Sequence, residues 1–167
     1  QDLLHPQCPH PHSPRSRCLR DKKRIGRWGE EYAVRVIKER LSEKYAQKSE
    51  GGGCWVFENG EGVSVVVRWL NFEKDVGEGC DILITRYENG VKKDEEFIEV
   101  KSTETQYKRH FILTGKQWEL AKRRGEKYHI YRVYNAGSKD VELTDIDNLY
   151  RRWKDGEITL QPLGIDI

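Results

Sequence analysis

Two short apolar segments carry acids, and the spacing of those acids constrains how the chain can fold. Asp81 lies in the segment CDILI, and Glu99 and Lys101 lie in FIEVK. Both segments read as strands, and Asn89-Gly90 between them is typical of a tight hairpin turn. Alternate residues of a strand share a face, so Glu99 and Lys101 point the same way. Buried charges need partners, and we therefore expect Asp81 to lie beside Glu99 with a divalent metal between the two acids.

The hairpin register tests this expectation. With a two-residue turn at Asn89-Gly90 and a regular ladder, Asp81 falls opposite Ile98 and points to the wrong face, because a slip of one residue reverses every side chain. One extra residue in the hairpin, such as a bulge at Gly90, places Asp81 opposite Glu99. The sequence therefore predicts a bulge or a longer loop in this hairpin.

A third acid comes from a predicted helix before the sheet. The stretch from Asp21 to Tyr45 contains no proline and reads as one long helix. At about 100° per residue, Glu30 falls inside the apolar arc, whereas Glu31 falls on the polar side. We expect Glu30 to face the sheet near Asp81; the alternative is an ordinary surface glutamate. The apolar arc consists of Ile25, Tyr32, Ala33, Val34, Val36, Ile37 and Leu41.

The rest of the chain predicts a sheet covered by helices. A T-x-x-Q capping box at Thr114 begins a helix that Gly125 ends. Gln117 thus has a local role and is not assigned to the site. A last helix is expected from Thr144 or Asp145 to about Trp153. Strands are expected at Trp55–Phe57, Val63–Leu70, Asp81–Arg86, Glu96–Ser102, Phe111–Leu113, Tyr128–Tyr134, Val141–Leu143 and Glu157–Leu160.

Several of these segments resemble the C-terminal domain of NO VEIN-type proteins, which is placed among the PD-(D/E)XK nuclease-like folds. Gly26–Glu31 looks like the G-x-x-G-E helix start of that domain, and Phe97–Thr103 is similar to its diagnostic IEVKST strand. The resemblance covers about residues 22–136. Gly79-Cys80 and Gln117 depart from the family pattern. Further matching segments are Trp69–Asn71, Asp75–Gly77, Phe111–Thr114, Trp118–Ala121 and Gly125–Val133.

The resemblance implies an α/β (α+β) fold, with a central mixed β-sheet flanked by helices and a restriction-endonuclease-like core. It also implies a metal-dependent phosphodiesterase. Asp81, Glu99 and the backbone carbonyl of Val100 would hold Mg²⁺ or Mn²⁺, since such ions prefer oxygen ligands. Glu30 would bind a metal-coordinated water or a second ion, and Lys101 would orient or deprotonate the attacking water. The alternative is a buried ion network in a fold that does not cut.

Basic clusters favour nucleic acid as a partner, DNA more than RNA. The net charge is only +2, but basic residues concentrate from Arg15 to Arg27 and after the IEVKST strand. A basic run at a helix entry suits phosphate backbones. Taken singly, each cluster also reads as a solvated face. The predicted nucleic-acid contacts are Arg24, Arg27, Lys108, Arg109, His110 and Lys116.

Residues 1–20 read as a disordered tail rich in Pro, His and Arg, and residues 21–167 as a single domain. The tail carries Cys8, His10, His12 and Cys18, four residues of the types that bind zinc; the alternative to a zinc site is a disordered tail, because their short spacings differ from common zinc patterns. Free intracellular thiols are the default for the four cysteines, and a nuclear location is expected. The chain lacks methionine and reads as part of a larger protein, in which the resemblance implies ATPase or helicase-type domains.

Three functions therefore stay open at this stage. The first is a metal-dependent nuclease. The second is a nucleic-acid-binding module that retains the fold without turnover. The third is a protein-interaction domain of a large ATPase-containing protein, in which the ion cluster serves stability alone. The complete Asp81, Glu99 and Lys101 set favours the first, and the near-neutral net charge keeps the third open.

Overall fold

The structure is a computed structural model that describes residues 14–161, with side chains described from Asp21 onward. The helices are α1 (Pro14–Ser42), α2 (Gly115–Arg124) and α3 (Leu149–Lys154), and a single 3-10 turn covers Gly125–Lys127. The strands are β1 (Ala46–Gly51), β2 (Cys54–Glu58), β3 (Val63–Trp69), β4 (Ile82–Glu88), β5 (Val91–Ser102), β6 (Tyr128–Tyr134) and β7 (Glu142–Asp147).

The seven strands form one mixed sheet in which sequence neighbours are also spatial neighbours, from β1 at one edge to β7 at the other. Strands β5 and β6 are parallel, and the remaining neighbours are antiparallel. A parallel pair needs a crossover connection, and α2 lies within that connection. The expectation of a mixed sheet flanked by helices, in the α+β class, is confirmed.

Helices cover both faces of the sheet, so the fold has two cores. Helix α1 packs Ala33, Val34 and Ile37 against one face, which includes Ile98 and Val100 of β5. On the opposite face, Leu120 and Ala121 of α2 and Leu149 pack with Phe97 and Ile130. Strand β5 lies between the cores, and its odd-numbered residues from Phe97 to Lys101 point toward α2.

The β4–β5 hairpin contains the predicted irregularity. Asn89 and Gly90 both have positive φ and form the two-residue turn, with Glu88 opposite Val91. The register then shifts between Arg86 and Tyr87, so Lys93 is the extra residue and Ile82 pairs with Ile98. The bulge is therefore confirmed, but it lies at Lys93 and not at Gly90. It brings Asp81 next to Glu99 on the neighbouring strand.

Helix α1 begins at Pro14, seven residues before the predicted start, so the tail boundary drawn at residue 20 falls inside the helix. Of its predicted apolar arc, Ala33, Val34 and Ile37 are buried. Gly29 lets the helix lie directly on β5: a Cβ at this position would be 1.6 Å from the Ser102 hydroxyl. This close approach fixes the position of the next residue, Glu30.

Some predicted strands do not form, and one strand of the sheet was not predicted. Phe111–Leu113 and Glu157–Leu160 are not strands, and the last helix begins only at Leu149, because Glu142–Asp147 extends as β7. Strand β1 was missed, since all six of its residues are exposed and it has no apolar alternation. In β3, Val65 and Val67 are buried and Val66 between them is half-buried, so one face of this strand is covered more fully than the other. No helix within residues 14–161 has the length and apolar character to cross a membrane.

Candidate active site

Glu99 and Lys101 form a close ion pair on the α2 side of β5. The Lys101 Nζ is 2.7 Å from Glu99 Oε1, and the two side chains are 18% and 5% exposed. Gln117 of α2 completes this group: its Nε2 donates to Glu99 Oε1 at 2.6 Å, and its Oε1 accepts from Lys101 Nζ at 3.2 Å. The predicted Glu99 and Lys101 are therefore in contact, and Gln117 joins them.

The capping box of α2 holds Gln117 in place. The Thr114 hydroxyl accepts from the Gln117 backbone N–H at 3.2 Å, and Gln117 Oε1 accepts from the Thr114 N–H at 2.9 Å. The predicted capping box is confirmed, but the same side chain also reaches the site. This second role was not predicted, because the capping box already gave Gln117 a local role.

Asp81 lies directly before β4, and each of its two carboxylate oxygens accepts a hydrogen bond. The Asn71 amide donates to Oδ1 at 2.6 Å, and the Val100 backbone N–H donates to Oδ2 at 2.7 Å. The Asp81 N–H in turn donates to the Ile98 carbonyl at 2.8 Å. Asp81 is 8% exposed. The carboxylate is thus fixed between the loop before β4 and the end of β5. Asn71 was not predicted as a site residue.

Glu30 reaches the same region from α1, as expected from its position on the helix. Its Oε2 accepts a hydrogen bond from the Trp69 indole N–H at 2.7 Å. The Arg27 guanidinium lies over the Trp69 ring at 3.8 Å and donates to the backbone carbonyls of Asn71 and Phe72, each at 2.8 Å. Arg27 therefore anchors the loop after β3, and this use explains its place beside Glu30.

The carboxylates hold protons more tightly than ordinary acids do. Burial raises the pKa of Glu99 to about 7, with a further increase from the nearby charge of Asp81. Burial and Asp81 likewise raise the pKa of Glu30 to about 7. Burial also raises the pKa of Asp81, against the opposing effect of its bond from Val100. These shifts show three acids that repel one another in a region with little water.

The three acids border one cleft of about 600 Å³. Of the predicted basic residues, Arg27 and Lys116 line this cleft. Lys116 also donates to the backbone carbonyl of Gly77. Arg24 is exposed on α1 and lies outside the lining. Acids outnumber cations among the residues that line the cleft. The acids are Glu30, Glu73, Asp75, Glu78, Asp81 and Glu99, and the cations are Lys23, Arg27, Lys74 and Lys116.

The donor set suits a hard divalent cation in part. Asp81 and Glu99 offer carboxylate oxygens, the ligands that Mg²⁺ and Mn²⁺ prefer. Burial is the main reason that the pKa values of both acids are raised, and a bound cation would favour their ionised forms. Within residues 14–161, however, no three His, Cys, Asp or Glu side chains converge as a ready metal site. Asp81 and Glu99 would therefore need help from backbone or water oxygens, and the Val100 carbonyl remains the predicted third ligand.

Lys108, Arg109 and His110 do not line the cleft. They are exposed on the loop between β5 and α2, and Arg109 and His110 border a neighbouring cavity of about 730 Å³. Arg132 lies beneath this loop and was not predicted. It is 2% exposed, pairs in register with Lys101 and donates to the backbone carbonyls of Lys101 and Lys108 at 2.9 and 2.5 Å. The burial of Arg132 was not predicted, because the sequence of β6 contains nothing that indicates a buried arginine.

The possible zinc set lies mostly outside the described residues. This applies to Cys8, His10 and His12, and the side chain of Cys18 is also not described. Within the described part, Cys54 is half-buried, Cys80 is buried, and both are free thiols as expected. Burial raises the pKa of Cys80 to about 12, with Asp81 as the next contribution. Cys80 is therefore protonated at neutral pH.

The family model described as "Protein NO VEIN, C-terminal" matches residues 29–146, from Gly29 in α1 to Ile146 in β7. The chain belongs to the NO VEIN C-terminal domain family. The match includes the whole β-sheet region that carries Asp81, Glu99 and Lys101, and it starts at the residue that brings α1 onto β5.

Two curated relatives from Arabidopsis thaliana match part of this chain. The chain is 34% identical over 99 residues to Protein NO VEIN-LIKE and 32% identical over 99 residues to Protein NO VEIN. Each alignment covers 59% of this chain but only 14% and 3% of the respective relative. The chain thus corresponds to a small part of these long proteins. No solved structure matches the chain.

Proposed function

We propose that this NO VEIN C-terminal domain is a metal-dependent nuclease of the PD-(D/E)XK type, with a restriction-endonuclease-like core, that hydrolyses phosphodiesters of DNA or, as the alternative substrate, RNA. The observation that carries the proposal is the contact of Glu99 with Lys101 on β5, beside Asp81 at the neighbouring strand. Glu99 and Asp81 both line a cleft, whereas Lys101 lies outside its lining. Buried like charges at this density are costly unless they bind something. A divalent cation would meet that need, and the bound cation would in turn attract a phosphate.

A bound Mg²⁺ or Mn²⁺ would supply Lewis-acid stabilisation of phosphate charge and would acidify a water molecule. Asp81, Glu99 and the Val100 carbonyl would hold it. The protein's own residues act around it. Lys101 Nζ contacts Glu99 and Gln117 and has a third N–H for a water or a phosphate oxygen. Glu30, with its pKa near 7, is suited to accept a proton at neutral pH. Lys116 and Arg27 at the cleft would offset phosphate charge.

One observation favours a second function, a nucleic-acid-binding module without turnover. No ready group of three metal-binding side chains exists in the described part of the chain, and Glu99 already has a cationic partner in Lys101. In this alternative the cluster would persist as a paired ion network. The ATPase or helicase-type partners and the nuclear location also remain predictions, because the chain covers only 14% and 3% of the length of these two relatives.

The test is cleavage by the purified 167-residue chain. Supercoiled plasmid, linear duplex and single-stranded DNA, with single-stranded RNA beside them, are incubated with Mn²⁺, with Mg²⁺ and with EDTA. We expect cutting that requires the metal and disappears in Asp81→Asn. Asp94→Asn, a surface acid on the same β5 strand, is the matched control and retains activity. Absence of cutting on every substrate by folded protein favours the binding module instead.

A further inference from the structure

The loop after β5 presents an aromatic ring and a run of cations to solvent. Tyr107 is 87% exposed, more than any other large hydrophobic residue of the described chain. The three residues after it, Lys108, Arg109 and His110, are also exposed. Within residues 21–161, no Asp or Glu forms a salt bridge with Lys108 or Arg109. The Tyr107 ring is therefore accessible to a ligand, and no ion pair within those residues neutralises the charges of Lys108 and Arg109.

The base of this loop is nevertheless fixed. The Thr103 N–H donates to the Val133 carbonyl at 2.8 Å, and the Thr103 carbonyl accepts from the Ala136 N–H at 2.9 Å. The buried Arg132 then contacts two carbonyls at once, those of Lys101 and Lys108. Because one guanidinium reaches both, the backbone at Lys108 lies close to the strand end that carries Lys101. The exposed tip is thus held next to the candidate site.

We propose that this loop binds an unpaired nucleic-acid strand, with one base stacked on Tyr107 and the flanking phosphates contacted by Lys108, Arg109 and His110. The proposal names single-stranded nucleic acid as the substrate class and so rests on the proposed function, although binding itself does not require cutting. A single-stranded base has a free ring face for an aromatic side chain, whereas bases within a duplex already stack on both sides. A base on Tyr107 would position the following strand toward Lys101.

The chemistry also distinguishes the two kinds of contact. Stacking on an aromatic side chain tolerates any base and is worth roughly a tenfold change in Kd or more for each base. Contacts from lysine and arginine to phosphates depend on salt, because each releases counterions. The loop therefore predicts single-strand binding with little sequence preference and a strong salt dependence, in which Tyr107 and the cations contribute separately.

The experiment measures binding by fluorescence anisotropy in EDTA, so that no strand is cut. The probes are a labelled single-stranded DNA, the RNA of the same sequence and the matching duplex. We expect the wild type to bind a single strand more tightly than the duplex. Tyr107→Ala should weaken single-strand binding by about tenfold and change duplex binding little, and Tyr107→Trp should retain it. Lys108→Gln should reduce the salt slope, whereas Lys93→Gln, an exposed lysine in the β4–β5 hairpin, should not.

The outcomes separate this proposal from the nuclease itself. Equal affinity for single strand and duplex, or unchanged single-strand binding in Tyr107→Ala, would overturn the loop assignment even if the chain cuts DNA. Failure to bind any of the three probes would overturn it as well and would favour a protein partner for the loop. Selective single-strand binding that is lost in Tyr107→Ala supports it, even if no cutting is observed. The DNA and RNA probes then show which sugar the strand carries.

Discussion

Strand β5 contributes an acid to each of two short ion pairs, an outer pair of Asp94 with Lys127 and an inner pair of Glu99 with Lys101, and the two pairs have almost the same length. Asp94 Oδ1 lies 2.8 Å from Lys127 Nζ, and Glu99 Oε1 lies 2.7 Å from Lys101 Nζ. In the outer pair, the hydrogen bond from Lys127 lowers the pKa of Asp94. In the inner pair, burial raises the pKa of Glu99 to about 7 despite its lysine.

The difference lies in the surroundings and not in the contact. The outer side chains are 39% and 44% exposed, whereas Glu99 is 5% exposed and shares its environment with Asp81 and Glu30. Desolvation of a buried pair can exceed its mutual attraction. An ion pair that leaves its acid poorly ionised contributes little to stability. The inner pair is therefore better explained as part of the proposed ligand site than as a contact that stabilises the fold.

The largest effect that separates the pairs is expected for the two lysines. Lys101→Ala removes the ammonium that contacts Glu99 and Gln117. We expect metal-dependent cleavage to fall by about 10²–10⁴-fold, the usual contribution of a proton-transfer group. Lys127→Ala, which breaks the outer pair, should leave the rate within about twofold of the wild type. Single-turnover rates on the preferred substrate measure both, and equal losses in the two variants would remove the distinction.

The acids should differ in how stability depends on pH. Folding raises the pKa of Glu99 from 4.5 to about 7, so the folded state binds more protons than the unfolded state between these values. Stability is therefore lost as pH rises from about 4.5 to 7. Glu99→Gln removes this loss and should be more stable than the wild type at pH 8, on the order of 1–3 kcal/mol. At pH 4 the two should be similar.

Urea unfolding at both pH values provides the measurement, with m-values checked for two-state behaviour. In the Gln variant, Lys101 keeps its hydrogen bond to Gln117. If Glu99→Gln proves less stable than the wild type at pH 8, the inner pair is a net stabilising contact. That result would show that both ion pairs stabilise the folded state, and burial would no longer distinguish the inner pair from the outer one.

Gln117 sharpens the comparison, because only the inner pair has a third side chain joined to both partners. Gln117→Ala should lower the cleavage rate by about tenfold, since a hydrogen bond to a charged group is worth about 1.5–3 kcal/mol. It should also move the pH–rate profile, as Glu99 loses a donor. Thr114→Ala removes a cap hydrogen bond of α2 but leaves Gln117 on Glu99, so it should retain the rate. Equal profiles for both variants would limit Gln117 to capping.

The smallest effect is expected at the outer pair. The pKa of Asp94 is lowered in the folded state, so its contribution is present above the unfolded pKa near 3.8 and is lost as pH falls through the folded value. Asp94→Asn should destabilise the protein at pH 8 by less than about 1 kcal/mol, as exposed pairs do, and added salt should reduce the difference. A larger loss would show that the outer pair is more than a surface contact.

The sequence was most informative where one requirement could be checked against another. Asp81 and Glu99 share a site only if the hairpin gains a residue, and the bulge at Lys93 supplies it. The direction of the Glu30 side chain was likewise predicted from helical periodicity, which places Glu30 inside the apolar arc of α1. Strand β1 could not be predicted, because AQKSEG is polar and exposed throughout and pairs through the turn at Gly52-Gly53.

The site residues that were missed act through tertiary contacts. Asn71 lies in a loop, and nothing local shows that it will bond to Asp81. Arg132 has a charge within an apolar strand, and its burial depends on the carbonyls of Lys101 and Lys108, which lie far away in sequence. Gln117 was recognised as a capping residue, but a local role concealed its contact with Glu99.

Metal binding tests most directly the claim that the inner cluster is a ligand site. Thermal and urea unfolding are followed as MgCl₂ or MnCl₂ is added to the wild type, Asp81→Asn and Asp94→Asn. A ligand that binds the folded state stabilises it, by about 2.7 kcal/mol at 100 times its Kd. The wild type and Asp94→Asn should gain stability with metal concentration, and Asp81→Asn should not. No gain in the folded wild type at millimolar metal, or an equal gain in Asp81→Asn, would contradict this account.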